Sequence, residues 1–309
     1  MRTRWLIASA MLGCTSAEVE DTAYEPEIWP ETDGVGSPEV VLSGLDTPMG
    51  IAPCGDEICV AVRGSGEVLS VSGVVYASGL VGPTEIQPVG TGLVVLDVDG
   101  EQVVWTDGDA TTLWAEGQAE LVDLASLDTS ACWSTGSDSG ASITCRDAAL
   151  PDEIVLHDAF EGPLRLDWND DGLVVASAQD DGSITQVFAD GSREELARFS
   201  GPVMDVTSFE GNIYYTQQQV NWPSGGWVGR LSAGAAVELS YSPPEPEYLA
   251  VHTSGVVWSS FQSITTAPID GGEYVMLADQ VAVGGLLVHE DVVYWTDYQS
   301  GRLYRQSLE

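Results

Sequence analysis

The sequence predicts an all-β protein assembled by repetition. Seven short apolar segments recur along it: Ile58 opens ICVAVR, Leu93 opens LVVLD, Ala131 opens ACWST, Leu173 opens LVVAS, Ile213 opens IYYTQ, Val256 opens VVWSS and Val292 opens VVYWTD. Their starts lie 35, 38, 42, 40, 43 and 36 residues apart. Each is β-branched or aromatic and is bounded by Gly, Asp or Asn, the composition of a strand between turns. A period of about 40 residues holding several short strands is that of β-propeller blades. One such sheet cannot bury both of its faces, so the units stack around an axis.

Within each unit the same order repeats. An inner strand comes first, as in Pro83-Thr-Glu-Ile86 or Pro163-Leu-Arg-Leu166. A hairpin follows at Gly55-Asp56, Gly90, Asp171-Gly172, Gly211-Asn212, Ser254-Gly255 or Glu290-Asp291. Gly and Asp-Gly supply the positive φ angles of tight hairpins. The apolar strand is next, then a third strand (residues 67–71, 183–187) and a fourth (74–77, 274–277). The final unit stops after its third strand at 302–308, while a spare strand at 38–44, PEVVLSG, precedes the first. Pairing the two would close the ring and remove an exposed edge. This predicts seven four-stranded blades closed by an N-terminal strand. Six is the alternative, because the unit at 119–147 is the least regular.

Tyr294-Trp295-Thr296-Asp297, followed by Gly301-Arg-Leu-Tyr-Arg305, resembles the YWTD repeat of the low-density lipoprotein receptor type (class B) β-propellers. Residues 263–271, SITTAPIDG, fit the same pattern, and Val104-Trp105-Thr106-Asp107 echoes it on a third strand. The resemblance covers the last 50 or so residues and elsewhere is only periodic. It implies six blades, from which the count of seven departs. In the structural reading of the motif the aromatics pack between blades and Thr and Asp brace turns, and fold alone does not fix function.

The N-terminus reads differently. Arg2 and Arg4 precede an apolar run from Trp5 to Leu12, then Gly13 and Cys14. A basic start, an apolar middle too short to span a bilayer and a small residue before the cut describe an export signal. With Cys next, it resembles a bacterial lipoprotein signal, which implies acylation of Cys14; Met11 stands where that signal usually has Leu. Residues 1–13 are thus expected to be the signal and 14–37, acidic and Pro-punctuated, a flexible tether. Residues 38–309 are expected to form one propeller domain. The remaining cysteines fall into local pairs, Cys54/Cys59 and Cys132/Cys145. Four cysteines allow three connectivities, but local pairing suits neighbouring strands, and no His or Cys lies at zinc-finger spacing. Disulfides are expected, in keeping with export.

The chain carries 48 acidic residues against 10 basic ones, all Arg, for a formal net charge of −38. That field repels nucleic acid and anionic lipid surfaces. The expected setting is the outward side of a bacterial envelope membrane, with the protein a lipid-anchored monomer.

No catalytic motif is present: there is no G-x-S-x-G, H-E-x-x-H or phosphate-cradling loop. His157, His252 and His289 lack triad partners at useful spacing. Asp167-Trp-Asn169-Asp-Asp171-Gly matches the opening of a calcium loop, but Ala178 replaces the twelfth-position Glu, and a hairpin turn explains the same residues. Asp97-Val-Asp-Gly100 is weaker. Aligning the inner strands brings Gly50, Glu85, Asp123, Arg165, Asp205, Tyr248 and Gly285 to one level near the channel mouth. The polar members form a candidate site for a polar ligand or Ca2+, set against an ion-pair network around Arg165. Trp222 and Trp227, both assigned to the long insertion at 217–226, suit a protein or glycan partner. The expected function is a non-catalytic binding or scaffolding module. The alternative is a metal-dependent lactonase- or lyase-like propeller enzyme using the channel acids.

Overall fold

The computed structural model describes residues 37–308, apart from 138–139, 149–153, 161, 180, 220–224, 233, 243–244 and 261. Cys14, the tether and Trp222 lie outside the described residues. Among the described residues, twenty-eight strands fall into seven four-stranded antiparallel sheets. The first strand, β1 (Glu39–Ser43), belongs to the last sheet. Blade 1 holds β2 to β5 (Pro48–Cys54, Glu57–Val62, Glu67–Ser70, Val75–Ser78). Blade 2 holds β6 to β9 (Pro83–Val89, Gly92–Asp97, Gln102–Thr106, Thr111–Glu116) and blade 3 holds β10 to β13 (Leu121–Leu127, Ser130–Ser137, Gly140–Asp147, Ile154–Phe160). Blade 4 is β14 to β17 (Leu164–Asn169, Gly172–Ser177, Ser183–Val187, Arg193–Arg198) and blade 5 is β18 to β21 (Val203–Phe209, Asn212–Gln218, Gly226–Ser232, Ala235–Ser242). Blade 6 is β22 to β25 (Pro246–His252, Gly255–Ser260, Ser263–Pro268, Val275–Asp279). Blade 7 is completed out of sequence, in the order β1-β28-β27-β26, from β26 (Val283–His289), β27 (Val292–Asp297) and β28 (Arg302–Ser307).

The count is therefore seven, and the six-bladed alternative is corrected. Blade 3, irregular in sequence, is a full sheet held by a disulfide between directly opposed Cys132 and Cys145. Closure occurs as the pattern requires: Glu39 faces Arg305 and Ser43 faces Arg302.

The core lies between blades rather than within one centre. Buried residues of each blade's middle strands pack on the inner strand of the next, as Val174, Ala176 and Ile184 of blade 4 do against Val203 and Val206 of blade 5. The YWTD residues obey the same logic. Trp295 is buried, stacked on Tyr304 with centroids 5.5 Å apart, and packs on Val257 and Ile264 of blade 6. Tyr294 packs toward Ile51 of blade 1. The Thr296 hydroxyl donates to the Met49 carbonyl across the ring closure at 2.8 Å. Asp297 accepts from the Ala282, Gln299 and Ser300 amides. Asp97, at the equivalent end of β7, accepts from the Val81 and Gly82 amides and from Gln102. Its place beside Gly100 is thus a blade brace. Trp105 and Thr106 end a third strand, and Asp107, just beyond it, instead caps its own turn by accepting from the Asp109 and Ala110 amides.

The second disulfide joins Cys54 to Cys59 across the first hairpin of blade 1. Both bridges close short loops, with separations of 5 and 13 residues. The longer one should contribute about 3 kcal/mol by loop entropy. Replacing Cys132 and Cys145 together by Ser is expected to lower stability by that amount in denaturant melts. An equal midpoint for variant and parent under non-reducing conditions would show that blade 3 does not depend on it.

Candidate functional site

The seven inner strands line one central cavity of about 140 Å3. Gly50, Glu85, Asp123, Arg165, Asp205, Tyr248 and Gly285 all line it, one from each blade. Gln87, Asp167 and Thr207 line it as well. They stand two residues beyond Glu85, Arg165 and Asp205, and a period of two keeps them on the same face of the strand.

The backbone explains why these positions meet. In six inner strands the ladder slips just before or at the ring position, at residues 49–50, 84, 122, 204, 247–248 and 284. Only β14 stays in register throughout. A bulge bends its strand and leaves the extra residue without a ladder partner. Side chains from neighbouring blades take up several of the carbonyls concerned. Arg165 Nε donates to the Met204 carbonyl at 3.0 Å and its Nη1 to the Val122 carbonyl at 3.3 Å. Thr216 does the same for Glu247 at 2.8 Å. The carboxylates meet amides of the following blade. Asp123 Oδ2 accepts from Leu166 N at 2.6 Å, Asp205 Oδ2 from Leu249 N at 2.7 Å, and Asp167 from Ser208 N. Gly50 and Gly285 are required by close approach: a Cβ on Gly50 would run into the Thr84 carbonyl, and one on Gly285 would lie 2.8 Å from the Met49 carbonyl.

Four carboxyls, Glu85, Asp123, Asp167 and Asp205, thus share the cavity with one guanidinium. Burial, then the neighbouring Asp123 charge, lifts Glu85 from an ordinary value of 4.5 to about 8, against the pull of Arg165. Burial and Asp123 lift Asp205 to about 7. Burial lifts Asp167 to about 6, opposed by its bond from Ser208. Asp123 is raised by burial and held back by Arg165. Its ion pair with Arg165 is loose, 3.9 Å. The Tyr248 hydroxyl is pushed well above its ordinary range by burial and Glu85. Asp123, Asp205 and Arg165 are anchored to backbone, whereas Glu85 and Tyr248 make no side-chain hydrogen bond among the described residues.

Of the weaker metal candidates, Asn169 and Asp171 do not line this cavity. Asn169 Oδ1 accepts from the Asp171 and Gly172 amides, and its amide donates to Gln186, so these residues build a hairpin turn. Asp167 is turned to the channel instead. Among the described residues no group of three or more His, Cys, Asp or Glu side chains is arranged to hold a metal ion. His252 and His289 end β22 and β26 and do not line the cavity. Trp227 belongs to β20 rather than to the insertion loop, and meets Tyr241 edge-on at 5.6 Å.

No family model matches the chain, and no curated protein matches it. Solved structures do share its fold. One is the computationally designed Ika8 protein, with a TM-score of 0.59 at 14% identity over 87% of this chain and 98% of that one. Another is a chain of the nidogen/laminin complex, with a TM-score of 0.54 at 14% identity over 68% of this chain and 87% of that one. At such identities the likeness speaks for a shared fold and nothing finer; the count of seven blades comes from the strand order of this chain.

Proposed function

We propose that this protein is a non-catalytic binding propeller, tethered by lipid through Cys14 and facing out of the cytoplasm, whose ligand enters the central channel. The supporting observation is the cavity lining. All seven inner strands contribute to it, its polar groups include Glu85 and Tyr248 without side-chain partners, and it holds no Ser, Cys or His among the described residues. Two disulfides favour an oxidising compartment. Concave sites at the axis suit small ligands held by a few convergent polar groups.

Binding without turnover separates this reading from a metal-dependent lactonase- or lyase-like enzyme. Size-matched cationic, neutral and anionic compounds, and Ca2+, are screened by thermal unfolding, because a ligand of the folded state raises its midpoint. The expected hit is recovered unchanged by mass spectrometry. A hit consumed in a chelator-sensitive reaction would favour the enzyme. Loss of a Ca2+ shift in both Glu85→Gln and Asp123→Asn would place that ion in the channel.

For the anchor, Cys14→Ala is expected to move the protein from the membrane fraction to the soluble one. Metabolic lipid labelling checks it, and an unlabelled parent protein would exclude the tether.

A further inference from the structure

We infer that the channel is built for a primary alkylammonium group, either a small free amine or the side chain of a partner's lysine. This rests on the channel being the ligand site and adds the class of ligand.

Four carboxyls face the cavity from β6, β10, β14 and β18. The cationic group among them, Arg165, is already committed to the Val122 and Met204 carbonyls and approaches Asp123 at 3.9 Å. An incoming anion would meet that excess of acid. A cation would meet Glu85, which has no side-chain hydrogen-bond partner among the described residues, and the Tyr248 hydroxyl and ring, from β6 and β22. Ammonium groups are attracted to aromatic faces as well as to carboxylates. The whole chain, at −38, steers cations inward.

Size excludes much else. A cavity of about 140 Å3 is close to the roughly 150 Å3 that admits benzene. A folded partner or a glycan chain cannot enter, but an alkylammonium can. A hard divalent ion fits less well. Asp123 and Asp205 each give one oxygen to a backbone amide of the next blade, and no metal-competent group of side chains is present among the described residues.

The charged and titratable neighbours are Glu85, Asp123, Asp167, Asp205, Arg165, Tyr248 and Glu247, the last felt by Tyr248. Glu85 and Asp205 hold protons near neutral pH. Placing an ammonium beside them favours the ionised form, so a proton leaves as the cation arrives. Affinity then rises with pH, by about tenfold per pH unit for each proton released.

The test is calorimetric titration of the full domain with 1,4-diaminobutane, with 1,4-butanediol as the uncharged isostere, with a Gly-Lys-Gly peptide and with Ca2+. The diamine or the lysine peptide should bind and the diol should not. Affinity should tighten about tenfold per unit between pH 6 and 8, and fall at least tenfold in Glu85→Gln at pH 8. Asp205→Asn should weaken it in the same way, which guards against an idiosyncratic effect of one variant. Binding by the peptide alone assigns the source to a protein, and binding by the diamine alone to a free amine. Equal binding of the diol, binding of Ca2+ but neither amine, or amine binding indifferent to both substitutions would overturn the inference. If instead a neutral or anionic compound binds and responds to substitution of Arg165, the channel remains the ligand site and only the ligand class is wrong. If no compound responds to any channel substitution, both readings fall.

Discussion

Deleting residues 38–44 is expected to lower the thermal midpoint by about 10 °C or more and to make the protein aggregate. β1 supplies the outer strand of blade 7, paired with β28 at four register positions. At about 1 kcal/mol net per ladder hydrogen bond, with Val41 and Leu42 packed against the core between blades 7 and 1, the loss is roughly 5 kcal/mol. That is a large share of a typical domain's ~5–15 kcal/mol. Each kcal/mol moves the midpoint of a large domain by about 2–4 °C. The deletion also bares β28 as an edge, a template for pairing with other chains. The Arg305–Glu39 ion pair, 2.8 Å but exposed on both sides, adds little, as such pairs are worth about 0–1 kcal/mol. Glu39→Ala should therefore shift the midpoint by only a degree or two. Removing residues 15–36, read from the sequence as a tether, should do as little. If losing 38–44 is no worse than losing 15–36, the ring is not closed by β1.

Closure was legible because it is a matter of pattern: a spare strand at one end and a missing one at the other. The level of the channel residues was legible for a similar reason. Counting back from each apolar strand across its hairpin reaches the same depth, and this brought Glu85, Asp123, Arg165, Asp205 and Tyr248 together without coordinates. What could not be read is how the strands reach that depth. The bulges at residues 84, 122 and 204 depend on how one blade sits on the next, and nothing in their local composition marks them. So the bonds from Arg165 to two bulge carbonyls were out of reach. So too was the double use of Asp123 and Asp205, which line the cavity and also grip the following blade. Asp167 was visible but misdirected. Its neighbours Asn169 and Asp171 suggested a loop, whereas the two-residue period from Arg165 would have placed it in the channel.

Acidification should stabilise this protein, and Glu85→Gln should remove much of that response. Glu85 ionises near 4.5 when unfolded but at about 8 in the folded channel. Between those values the folded state holds a proton that the unfolded state has lost. Stability therefore falls as pH rises, by about 1.4 kcal/mol per pH unit for each such group. Asp205, carried from 3.8 to about 7, and Asp167, to about 6, act in the same direction over narrower windows. Carboxylates whose values are lowered, such as Asp99 beside Arg63 and Asp107 in its turn, act oppositely, losing their contribution on acidification. They are exposed, so solvent screens them. Relief of the chain's −38 charge also favours acid stability, which is why the variant is needed. At pH 5 Gln and protonated Glu are close in shape and charge, so Glu85→Gln should match the parent. By pH 9 it should be more stable by on the order of 3–4 kcal/mol, because it no longer carries a charge into a cavity shared with Asp123 and Asp205. Denaturant melts from pH 5 to 9 read this directly. Parallel curves for the two proteins would mean that Glu85 ionises as freely in the channel as it does in water.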